Sequence, residues 1–100
     1  MDSLTDTLAT VMAGYAGHDL IGQSYLTHSD DGNVLTVVWI GEVRGVHFAE
    51  AFLIARVVGQ HIVIELDNNS KILLDALLQA GMPRDRIVVA YAGETNPHAA

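Results

Sequence analysis

A chain of 100 residues is long enough for one domain with one core. Half of its residues are apolar, too many for a disordered chain, yet the apolar runs are strand-sized and none could span a bilayer. It has no cysteine, which excludes disulfides and thiolate metal sites, and a net charge of −7 with only five basic residues. Those five (Arg44, Arg56, Lys71, Arg84 and Arg86) are scattered, so no phosphate-neutralising patch for direct nucleic-acid binding is expected.

The N-terminus has no basic segment, and Asp2 and Asp6 argue against a signal peptide, so a cytoplasmic protein is expected. Ser3-Leu4-Thr5-Asp6 resembles a capping box, with Asp6 standing in for the usual Glu. Leu4, Leu8, Val11, Met12 and Tyr15 then fall on one face of a helix that Gly14 weakens and Gly17 ends. Residues 19–28 read as a weaker strand, and Asp30-Asp31-Gly32-Asn33 as a turn. Val34 to Ile40 is a strong strand, joined through Gly41 to Gly45 to a long one, Val46 to Val58. Gly59-Gln60 reads as a two-residue hairpin loop leading into a strand over His61 to Leu66.

Asp67-Asn68-Asn69-Ser70 offers side-chain oxygens to cap a second helix carrying Leu73, Leu74, Leu77 and Leu78. Gly81 suits the position after its C-cap, Pro83 forbids continuation, and Ile87 to Tyr91 reads as a last strand. The expected fold is α+β: an N-terminal helix, a four-stranded antiparallel meander, a second helix and a final strand. Residues 1–93 form the domain, and 94–100 a flexible tail.

Pairing about the Gly59-Gln60 loop puts Leu53, Ala55, Val57, Ile62, Ile64 and Leu66 on one sheet face. Phe52, Ile54, Arg56, His61, Val63 and Glu65 fall on the other. If Ile40 pairs with Val46, then Val38, Ile40, Val46 and Phe48 join that second face, and Trp39 joins the first. Two helices cover one face of such a sheet but not both, so the second face is expected to meet another subunit or partner. The candidate interface residues are Phe48, Phe52, Ile54, Arg56, His61 and Val63.

Catalytic patterns are not found. His18, His28, His47, His61 and His98 lie on different elements without HExxH or i, i+4 spacing, so no metal site is expected. The serines stand in no GxSxG context, and there is neither a P-loop nor GxGxxG, so no cofactor is expected. Trp39 is expected in the core. Two other uses of such a chain are an acidic antitoxin-like inhibitor, recognisable by clustered carboxylates, and a small-molecule binder with a pocket between Trp39, His47 and the helices.

The segment LLDALLQAGMPRDRIVVAYAG is similar to the closing segment of the XisI-like family, the fdxN element excision controlling factor proteins. Gly81-Met82-Pro83, Arg84-Asp85 and Ile87-Val88-Val89-Ala90-Tyr91 resemble that family's corner, charged pair and last strand. Asn69 resembles its helix cap, and Trp39 with Arg44 its central turn. Ala92-Gly93-Glu94 departs from the family's His-Pro-Pro. The resemblance implies a non-enzymatic accessory protein found with a nuclease-like XisH-type companion, with no catalytic residues to carry over, while self-association is expected from the surplus apolar sheet face.

Overall fold

The computed structural model describes residues 3–95. Helix α1 (Leu4–Ala13) is followed by strands β1 (Gly17–His18), β2 (Gly22–His28), β3 (Val34–Val43), β4 (Val46–Val58) and β5 (His61–Asp67). Then come helix α2 (Leu73–Gln79), a 3-10 turn at Arg84–Arg86, strand β6 (Ile87–Val89) and a second 3-10 turn at Ala90–Ala92. The strands form one six-stranded sheet whose spatial order is the chain order. Neighbours from β1 to β5 are antiparallel, whereas β5 and β6 are parallel, with α2 as the crossover. The α+β class is therefore as expected. The meander has five strands rather than four, because the short β1 folds back on β2.

The helix ends follow the sequence closely. Ser3 accepts from the Asp6 N–H at 3.0 Å, and the Asp6 carboxylate accepts from the Ser3 N–H, a complete capping box. At α2 the cap comes from the first of the four expected residues. Asp67, the last residue of β5, accepts the Leu73 N–H at 2.7 Å and the Asn69 side-chain amide at 2.9 Å. The end of α2 is a Schellman motif: Met82 N–H reaches the Leu77 carbonyl and Gly81 N–H the Leu78 carbonyl. Gly81 takes φ 92° there, a conformation that a side chain would strain.

Both helices pack on the same side of the sheet. Leu8 and Met12 of α1 and Leu73 and Leu77 of α2 are fully buried against Leu35, Val37, Leu53, Ala55, Ile62 and Ile64. Each such leucine contributes about 1.5–3 kcal/mol by leaving water. Helices of ten and seven residues are only about 15 and 10 Å long. They cover the middle of one face and leave the far end of the β3–β4 hairpin bare: Val43, Val46 and Phe48 are all exposed.

Register decides which residues share a face, and two bulges alter the expected pattern. The β3–β4 loop is only Arg44-Gly45, both at positive φ, so Val43 pairs with Val46 and Ile40 with Ala49. This three-residue shift from the expected Ile40–Val46 pairing turns Val46 and Phe48 onto the helix side, where Phe48 faces Gly41. A bulge at Phe52, between the Val37–Leu53 and Val38–Ala51 pairs, restores the expected side for Ile54 and Arg56. A second bulge at Glu65 moves Leu66 to pair with Ile54, so Leu66 leaves the face of Ile62 and Ile64. The Gly59-Gln60 hairpin is as expected, with Val58 opposite His61 and Val57 opposite Ile62.

Candidate interaction surface

The sheet face turned away from the helices is the first candidate. Tyr25 of β2 pairs with Val38 of β3, which pairs with Ala51 of β4. One row further along, Thr27, Thr36, Ile54 and Leu66 lie side by side, and beyond them Val34, Arg56, Val63 and Val88. Tyr25 and Ile40 are 43% and 42% exposed, large for apolar side chains at the middle of a sheet. Val63 and Val88 are buried but lie outside the core cluster, shielded by neighbours on their own face.

The charge on this face is nearly balanced. Arg56 Nε donates to Glu65 Oε2 at 2.7 Å, across the β4–β5 pair. The bulge at Glu65 brings the carboxylate beside Arg56, and both side chains remain about two-fifths exposed. Such a pair is worth about 0–1 kcal/mol in water, more as a device that neutralises the face than as a source of stability. His61 begins β5 on the same face, opposite Val58. Four of the expected interface residues (Ile54, Arg56, His61 and Val63) are thus brought together. Phe48 and Phe52 are not: the shorter hairpin loop turns Phe48 away, and the bulge turns Phe52 to the helix side.

Phe52 instead joins a second feature, an open cleft of about 480 Å³ beside Trp39, bordered by Asp19, Ser24 and the loop Asn68 to Ser70. Trp39 is not a core residue as expected. It is half-buried at this cleft, and its Nε1–H donates to Asp19 Oδ2 at 2.9 Å. Two glycines make room for it. A Cβ on Gly22 or Gly41 would come within 2.6 Å of the Trp39 ring, so the indole lies against a cross-strand pair of bare backbones. The other Asp19 oxygen accepts the Ile21 and Gly22 N–H groups, which fixes the corner between β1 and β2. These bonds, led by that from Ile21 and followed by that from Trp39, hold the Asp19 carboxyl below the usual carboxylate range. His47 does not line the cleft. It pairs with Glu42 on the opposite face, near the hairpin tip.

Among the described residues, no three His, Cys, Asp or Glu side chains are placed to hold a metal ion, and His98 lies outside them. Six of the twelve carboxylates are occupied locally. Asp6, Asp19, Asp31 and Asp67 accept backbone N–H groups beside them, and Glu65 and Glu94 pair with Arg56 and Arg84. Tyr15 carries a hydroxyl that is buried without a hydrogen-bond partner, under the Lys71 ammonium 4.8 Å from its ring centre. Burial, reinforced by Asp67 and Asp75, pushes its pKa up to about 12, so it stays protonated. No described helix is long and apolar enough to cross a membrane.

Solved structures match this architecture over most of their length. A XisI-like protein from Anabaena variabilis ATCC 29413 superposes with a TM-score of 0.68 at 15% identity, covering 95% of this chain and 84% of that one. The fold is that of the XisI-like proteins. The fdxN element excision controlling factor XisI from the same organism matches with a TM-score of 0.65 at 18% identity, covering 87% of this chain and 82% of its own. No protein-family model matches the chain, and no curated protein matches it. The resemblance read from the Gly81–Tyr91 corner is thus met by the shape of the whole domain, from α1 to β6.

Proposed function

We propose that this chain is a non-enzymatic accessory protein of the excision-controlling kind, acting by association with other proteins. The observation that carries this reading is the apolar sheet face of Tyr25, Val38, Ile40 and Ile54, which neither α1 nor α2 covers. Similarity of fold to an excision controlling factor supports the class of role. Local use of half of the carboxylates, at caps, turns and ion pairs, favours this reading over a phosphate-mimicking, antitoxin-like surface.

The test is direct binding to a purified, nuclease-like companion of XisH type. Interferometry should give a saturable complex, and Ile40→Lys or Ile54→Lys, both on that face, should weaken it at least about tenfold by placing a charge in an apolar contact. A companion that ignores the wild-type chain across the micromolar range sinks the reading.

A further inference from the structure

We infer that the sheet face opposite the helices is covered by a second copy of this chain, packed face to face about a two-fold axis. The inference rests on the reading just given and names the occupant of that surface.

Area is the first argument. Strands β2 to β5, at least seven residues each and spaced ~4.8 Å apart at ~3.3 Å per residue, make a face of roughly 19 by 23 Å. A peptide or a single docked helix would cover only a strip of it. A second sheet covers it whole, at the ~10 Å spacing of a two-layer β-sandwich.

Charge is the second. The chain carries −7 overall, yet the middle of this face holds one positive and one negative group, Arg56 and Glu65, already joined. The other carboxylate on this side, Glu42, sits at the hairpin rim opposite His47. Two copies of an acidic protein repel wherever carboxylates meet, and here they would meet apolar against apolar. A basic partner would find only Glu65 at the centre, with its charge spent on Arg56. The surface is self-complementary and offers such a partner little. Two-fold packing leaves the bare hairpin end, with Val46, Phe48 and the fully exposed Leu20, free for a different protein.

The experiment is solution mass by light scattering and sedimentation equilibrium on the full chain, from micromolar to hundreds of micromolar. The expected mass is about 21 kDa, twice the 10.7 kDa of one chain. Tyr25→Lys and Val38→Lys should halve it while leaving the circular dichroism unchanged. Leu78→Lys, at an exposed position of α2, should leave the dimer intact. A wild-type monomer at every concentration overturns the inference, as does a dimer indifferent to both face substitutions. Should the face variants fail to fold, spin labels decide. The chain has no cysteine, so Thr27→Cys, exposed on this face, gives one label per copy. A defined label-to-label distance across the pair is expected, and no dipolar coupling overturns the inference. A monomer that still binds the nuclease-like companion through this face removes the second copy but keeps the functional reading. A dimer that binds no companion removes only the functional reading.

Discussion

Arg84 and Glu94 hold each other at 2.6 Å across the outer edge of β6. Arg84 Nη1 donates to the Ile87 carbonyl at 2.8 Å, and Glu94 Oε1 accepts the Val89 N–H at 2.9 Å. The Glu94 N–H returns to the Val89 carbonyl. An edge strand that would otherwise present free backbone groups to another chain is closed by its own flanking residues. The Val89 N–H, and after it Arg84, hold the Glu94 carboxyl below the usual carboxylate range. Its folded pKa lies below the unfolded one, so its contribution is complete above the ordinary carboxylate range and is lost as pH falls through the folded value. Glu94→Gln should flatten the acid limb of the stability–pH curve. In Glu94→Ala, which removes the acceptor, hydrogen exchange at the Val89 amide should speed up roughly five- to tenfold, the scale of one lost hydrogen bond.

The hairpin loop offers a stabilising change. Arg44 sits at φ 53° and Gly45 at φ 77°, the pattern in which two-residue hairpins favour Asn-Gly. A left-handed conformation costs a branched or long side chain about 1 kcal/mol. Arg44→Asn should therefore add about 0.5–1 kcal/mol of stability, read as a higher denaturation midpoint in urea at unchanged slope.

Asp67 links the end of β5 to the start of α2. Asp67→Ala removes the acceptor for the Leu73 N–H and the partner of the Asn69 amide. Loss of such a cap costs about 1–2 kcal/mol. Chemical denaturation measures it, and local exchange at the Leu73 amide should report the same change. Asp67→Asn, which keeps an oxygen in place, should lose less.

Gly41→Ala probes the Trp39 shelf. The added methyl would collide with the Trp39 ring and with the Gly22 backbone. Overpacking of this kind costs about 1–3 kcal/mol. The tryptophan is the only one in the chain, so its fluorescence reports directly. A red shift is expected as the indole lifts away from Asp19 into water.

Leu77→Ala tests the core. Its side chain is fully buried between the sheet and the Met82 corner. Truncation should cost about 2–5 kcal/mol, read as a lower thermal midpoint.

The order of elements was legible because each boundary carries local chemistry: Ser3 with Asp6, Gly59, Gly81 and Pro83. The faces were less so. Counting from a five-residue loop puts Phe48 on the outer face, and the chain turns in two. Alternation then carried that error along β4 until the bulge at Phe52, and no residue type announces a bulge there. Trp39 looks like core from its apolar neighbours on the strand. Its true setting depends on Gly22, seventeen positions earlier, standing opposite Gly41. Pairing across strands, not composition along one, decides where the indole rests.

The sheet's spatial order repeats the order of the chain. Four antiparallel pairings can therefore zip from their own turns, each closing a short loop before the next begins. Helix α1 is different, because the strands it contacts, β3 and β5, come much later in the chain. The meander is thus positioned to assemble early, with α1 closing the core in a later step. In a two-state kinetic experiment, Leu8→Ala should mainly speed unfolding, while changes in the β3–β4 turn should mainly alter the folding rate.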